Sequence, residues 1–270
     1  MTAFSSILCA LDSSPLAPRV LRHAVGLAAV CGARLTILTV VTDAHPHQPD
    51  ARVTALLRDV VPPGAPYLAE PRIRSAQAAM GQPADAIIDI ARGEADLIVA
   101  GTHSKSGLSR WLLGSTSTAL LEYATCPTLL VPPGQIDIVT LDAQSARFHP
   151  GAVLAAMDLH ERNDAQLTLA RALADLARQP LVLMTVAGQA VTDADAAQAL
   201  NARAAGLSVS ADRILVRRGD VADAIDHAAV SEAAGLVVMG LRSRDEGTPG
   251  AIATAVLKAK DALVLAVPAD

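Results

Sequence analysis

Five blocks of this chain occur twice in the same order, and that duplication restricts the fold more than any single motif. "ILCALDSS" (7–14) returns as "VLAAMDLH" (153–160), and "LTILTVV" (35–41) as "LVLMTVA" (181–187). "PADAIIDIA" (83–91) returns as "VADAIDHAA" (221–229), and "ADLIVAG" (95–101) as "AGLVVMG" (234–240). Finally "ALLEYATCPTLLVP" (119–132) returns as "AVLKAKDALVLAVP" (255–268). A tandem duplication follows, with expected domains 1–135 and 149–270 joined through the Pro/Gly/Asp-containing stretch 132–151. Asp12 falls opposite Asp158.

Each copy then reads alike. Apolar runs of five to seven residues, bounded by Gly, Pro or Asp, are too short for helices and continuous enough for strands buried on both faces. Helical periodicity fills the intervals: Leu16, Val20, Ala24 and Leu27 form one stripe, and Ile87, Ile90 and Ala91 another, opposite Asp85 and Asp89. Pro83 stands in a first-turn position. Residues 50–61 read as a helix that "PPGAPYLAEP" (62–71) breaks. The order β-α-β-α-β-α-β-α-β predicts an α/β fold, an open doubly wound parallel sheet with right-handed crossovers, in each copy. The apolar half of the composition is mostly Ala, Val and Leu, with five aromatics, which suits such a layered core.

The net charge of −5 and the scattered basic residues argue against a nucleic-acid footprint and against a polybasic membrane anchor. No apolar run approaches the roughly 20 residues of a membrane helix. The N-terminal "MTAFSSILCALD" lacks a charged leader region, so the expectation is a soluble, cytoplasmic protein without a membrane partner. Cys9, Cys31 and Cys126 form no CxxC pair and read as reduced core thiols.

In doubly wound sheets ligands bind at the carboxyl ends of the strands, where the strand order reverses. Here those ends carry Asp12, Val40, Val41 and the loop that begins at Gly101. That loop, "GTHSKSGLSRWLLGSTSTALL" (101–121), combines glycines, hydroxyls, Lys105 and Arg110. Gly114-Ser115-Thr116 opens a helix, with Ser115 as the expected N-cap. Taken alone, the loop serves equally well as a phosphate cradle or as an ordinary cap. Asp12 either bonds a ribose or base, or caps the helix starting near Pro15. His103 either touches phosphate or faces water. The chain holds no GxxxxGK[ST], no GxGxxG after the first strand and no GxSxG elbow. "HPH" (45–47) has no partner ligands at metal spacing and reads as a solvated loop.

Gly101-x2-Ser104-x9-Gly114-Ser115 resembles the Gly-x2-Gly-x9-Gly-Ser/Thr signature of the universal stress protein family, with Ser104 in place of the second glycine. The likeness spans both copies. It implies two tandem five-stranded sheets of the adenine nucleotide α-hydrolase-like type, strand order 3-2-1-4-5. It also implies an ATP site, with Mg2+, formed by Asp12, Val40, Val41, Ala100, Gly101, Ser104, Gly114, Ser115 and Thr116. The second copy departs: its loop is three residues shorter, Ser115 becomes Ala251 and Thr116 becomes Ile252, and Asp245 and Glu246 bring negative charge. A single nucleotide site in the first copy is therefore expected, with Asp158 left a capping role. The resemblance further implies an intrachain pseudo-dimer through the fifth strands (127–132 and 262–267), room for a homodimer, and protein partners it does not identify. The expected role is a nucleotide-responsive regulator of the stress response, not an enzyme. The alternative is an interaction scaffold with vestigial pockets.

Overall fold

The computed structural model describes residues 2–41, 49–78, 82–102, 113–134, 136–161, 163–241, 250–259 and 262–269. The chain forms two compact units, one of residues 2–133 with 139–148, the other of residues 134–138 with 149–270. Ser104, Lys105, Arg110, His103, the 45–47 stretch, Asp245 and Glu246 lie outside the described residues.

The N-terminal unit runs β1 (Ser6–Leu11), α1 (Ala17–Cys31), β2 (Arg34–Val41), α2 (Pro49–Val60), β3 (Arg72–Gln77), α3 (Pro83–Glu94), β4 (Leu97–Gly101), α4 (Ser115–Tyr123) and β5 (Thr128–Val131). Its strands lie in the order β3-β2-β1-β4-β5, every neighbouring pair parallel. This is the expected 3-2-1-4-5 arrangement. The central strands are apolar throughout because helices cover both faces: Ile7, Cys9, Leu97, Ile98 and Val99 are fully buried. The predicted stripe of α1 is buried as expected. On α3 the core face is Ala84, Ile87, Ile88 and Ala91, and Ile90 is only half-buried. The i, i+3, i+4, i+7 spacing of the buried set makes a wider stripe than the predicted one.

A short antiparallel hairpin follows β5 in sequence, β6 (Val139–Leu141) and β7 (Ala146–Phe148), and belongs to the N-terminal unit. Asp142 builds its turn by accepting from the N–H groups of Gln144 (2.9 Å) and Ser145 (2.7 Å). Those bonds hold its carboxyl below the usual range. The hairpin lies against α1 at Gly26, where an added Cβ would stand 2.7 Å from Val139 Cβ. Only a residue without a side chain admits the hairpin so close.

The C-terminal unit repeats the plan with β8 (Val153–Ala156), α5 (Asp164–Ala177), β9 (Leu181–Val186), α6 (Asp193–Gly206), β10 (Arg213–Arg217), α7 (Val221–Ser231), β11 (Leu236–Gly240), α8 (Ala251–Ala259) and β12 (Leu263–Val267). Its order is β10-β9-β8-β11-β12, again all parallel. The copies differ in how the first helix ends. Gly32 closes α1 with φ 65, whereas Arg178 closes α5 in the same left-handed region at φ 53, which a residue with a Cβ adopts at a cost. Cys9 and Cys31 are buried and Cys126 half-buried, all as free thiols. Burial raises the Cys9 and Cys31 thiols and pushes Cys126 up to about 11, far from a reactive thiolate. Among the described residues no helix is long and apolar enough to cross a membrane.

Two stability measurements test this packing. Gly26→Val should cost about 1–3 kcal/mol by overpacking, and Val139→Ala in the same chain should recover part of that loss. Strictly additive urea midpoints would refute the contact. Arg178→Gly should raise the midpoint, by about 1 kcal/mol, because glycine adopts the left-handed cap without strain.

Candidate functional site

Register sets the site of the N-terminal unit. Leu11 pairs with Thr39, and Ala10 with both Leu38 and Ala100. The carboxyl ends of β2, β1 and β4 therefore finish side by side, bringing Val40, Val41, Asp12, Ala100 and Gly101 to one rim. The strand order reverses between β1 and β4, which opens a crevice there. Asp12 is exposed, and one of its carboxylate oxygens accepts from Ser14 N–H at 2.9 Å. It shapes the turn before α1 and does not cap the helix, whose N-cap is Leu16 with no side-chain bond. Arg52, from α2, donates to the carbonyl of Asp12 at 3.1 Å and sets a positive charge beside the rim.

The start of α4 closes the other side. Its N-cap is Gly114, in extended geometry (φ −64, ψ 153) with no side-chain cap. Ser115, expected at that place, is instead the first helical residue, because Gly114 O accepts the first helical bond, from Thr118 N at 2.9 Å. Among the described residues no side chain caps this first turn, the arrangement that favours an anion. Two bonds moor this helix to β4: Gly114 N donates to Thr102 O (3.2 Å) and Ser117 Oγ to Gly101 O (2.8 Å). Ser115 is exposed, Thr116 half-buried and Gly114 buried. Thr102 is 1% exposed, and its hydroxyl has no hydrogen-bond partner among the described residues. A buried hydroxyl left unpaired costs about 1–3 kcal/mol, and here it stands next to Gly101 on the chain. Eight of the nine expected site residues therefore lie at the carboxyl ends of β1, β2 and β4 or at the start of α4, and Ser104 lies outside the described residues. Sequence reasoning missed Thr102 and Arg52. The first lies in the hydroxyl-rich loop, but nothing in the pattern of α2 singles out Arg52.

The C-terminal unit repeats this frame. Asp158 accepts from His160 N–H at 2.9 Å, as Asp12 does from Ser14, and Arg203 of α6 donates to Asp158 O at 3.3 Å, as Arg52 does to Asp12 O. The back wall differs. An added Cβ on Gly101 would meet Leu16 Cδ2 at 3.0 Å and Val20 Cγ2 at 3.1 Å, whereas one on Gly240 would meet Gln166 Oε1 at 2.8 Å and Asn163 Nδ2 at 3.1 Å. Gln166 Nε2 donates to Ala156 O (2.8 Å) and Val238 O (3.0 Å), clamping β8 to β11. Asn163 caps α5 through Gln166 N–H and donates to Val267 O (3.2 Å) and Pro268 O (3.0 Å). In front of this wall lies a cavity of about 460 Å³.

A family model described as the universal stress protein family matches residues 3–132 and again 142–268. The universal stress protein YxiE of Bacillus subtilis is 30% identical over 146 residues, covering 47% of this chain and 99% of its own length. A universal stress protein of Methanocaldococcus jannaschii is 48% identical over 52 residues, and the match spans 19% of this chain and 31% of that protein. The crystal structure of a universal stress protein from Archaeoglobus fulgidus superposes with a TM-score of 0.68 at 17% identity, covering 99% of both chains, a likeness of fold.

The polar wall is testable by itself. Gln166→Ala strips donors from two strand-end carbonyls and should cost about 1–3 kcal/mol, read as a lower urea midpoint. An unchanged midpoint would show that the clamp carries no stability.

Proposed function

The chain belongs to the universal stress protein family, and from that premise we propose that its N-terminal unit binds ATP and acts as a nucleotide-responsive regulator. The observation that carries this reading is the uncapped first turn of α4, moored against the carboxyl end of β4 where the strand order reverses. Base and ribose would lie beside Asp12, Val40 and Val41. The phosphates would meet Ala100, Gly101, Ser104 and the Gly114-Ser115-Thr116 turn, with Mg2+ on the phosphate oxygens. The unpaired Thr102 hydroxyl fits a site that expects a polar guest. ATP supplies the negative charge that the helix terminus favours, and the residues of the chain only orient it. Among the described residues no side chain at this rim is positioned as a general base, so hydrolysis should be slow.

Denaturing the purified protein and chromatographing the supernatant tests the reading, with about one adenine nucleotide per chain expected. Gly114→Val should lower ATP affinity at least tenfold with an unchanged far-ultraviolet circular dichroism spectrum. The backbone of Gly114 is one that any residue adopts, so the fold should survive. Unaltered affinity would dismiss the site, and no binding to added Mg-ATP by the natural chain would favour an interaction scaffold.

A further inference from the structure

The cavity of the C-terminal unit sits where the first copy has its crevice, yet its chemistry is different. Three methionines stand at one level: Ala156 pairs with both Met184 and Met239, and Met157 N–H donates to Met184 O at 2.8 Å. The corresponding positions of the first copy are Leu11, Leu38 and Ala100. All three methionines line the cavity, with Ile225 and Val221 of α7. Thioethers are polarisable and adapt their shape to flat rings. The half of the frame that would face a base and ribose is retained in Asp158 and Val186, the counterparts of Asp12 and Val40. The half that would face phosphate is not. Ala251 and Ile252 replace Ser115 and Thr116 at the first turn of α8, and the described lining contains Asp158 and Glu161 but no lysine or arginine. At the first turn of α8 a triphosphate would meet methyl groups where the first copy offers hydroxyls. At about 460 Å³ the space lies within the range of small-molecule sites.

We infer that this cavity is a second ligand site, selective for an uncharged purine nucleoside over its phosphorylated forms. The purine lies among the thioethers, and the ribose hydroxyls or the exocyclic amine donate to the carboxylates at the rim. The choice of a nucleoside rests on reading the first copy as an adenine nucleotide site. The selectivity against phosphate rests on Ala251 and Ile252.

Calorimetric titration of the full chain tests it, with adenosine and ATP as probes and Gly114→Val as background. Adenosine should bind this background, while ATP should bind at least tenfold more weakly than adenosine. Ile225→Trp, which fills the cavity, should lower adenosine affinity at least tenfold in the same background and leave ATP binding to the otherwise natural chain unchanged. Val221→Trp, at the exposed start of α7, should do the same without burdening the core, with circular dichroism as the check on folding. No adenosine binding, adenosine binding indifferent to both tryptophans, or ATP binding as tight as adenosine would each overturn the inference. If ATP binds nowhere and adenosine binds in the tryptophan-sensitive manner, the reading of the first copy fails and this one stands.

Discussion

The glycine that ends the fourth strand of each unit is the position on which the site geometry depends. Gly101 and Gly240 each lie against the first turn of the unit's first helix, at distances no Cβ tolerates without displacing its neighbours. That approach holds the helix over the reversal in strand order, leaves the strand ends open, and lets the chain turn into the loop leading to the fourth helix. Any larger residue would have to displace the side chains of Leu16 and Val20, or those of Gln166 and Asn163. The result would be not a weaker pocket but a differently spaced one.

Behind that glycine the copies use opposite materials. The N-terminal unit packs Leu16 and Val20, a contact whose worth is the area taken from water. The C-terminal unit buries Asn163 and Gln166 at 4% and 2% exposure. Buried amides are tolerated because their donors reach carbonyls: Gln166 bridges two strands, and Asn163 reaches the last residue of β12 and the one after it. A satisfied amide pair imposes directions that an apolar contact does not. The two walls thus hold the same opening by area in one unit and by direction in the other.

Most of the fold was legible in the sequence because duplication presents each strand twice. "ADLIVAG" and "AGLVVMG" support one another where a single apolar run leaves helix and strand open. The strand ends followed, and with them Asp12, Val40, Val41 and Gly101. What escaped notice depended on tertiary geometry. The hairpin of Val139–Leu141 and Ala146–Phe148 has strands of three residues, too short for periodicity, and its place is set by a helical glycine, Gly26, that looks unremarkable in sequence. The cap of α4 is Gly114 rather than Ser115, a difference of one residue decided by which carbonyl accepts the first helical bond. Arg52 and Arg203 make the same bond to the strand-end aspartates from helices that share no alignable pattern, so only the coordinates reveal the correspondence. The polar wall of Asn163 and Gln166 sits at helical positions where the first copy has none, and reads in isolation as solvated surface.

At the first turn of the fourth helix the residues that differ between the copies are ones the fold does not use. Ser115 is exposed and Thr116 half-buried, and neither caps its helix. Ala251 and Ile252 at the same turn therefore leave the sheet and the helix start intact. The glycine behind the crevice and the aspartate at the end of the first strand each perform a structural task as well, one of close approach and one of turn formation, and both persist in both copies. Cavity shape and phosphate chemistry are consequently separable in this fold. The C-terminal copy carries Ala251 and Ile252 at that turn and keeps a cavity, lined by Met184 and Met239 where the first copy has Leu38 and Ala100.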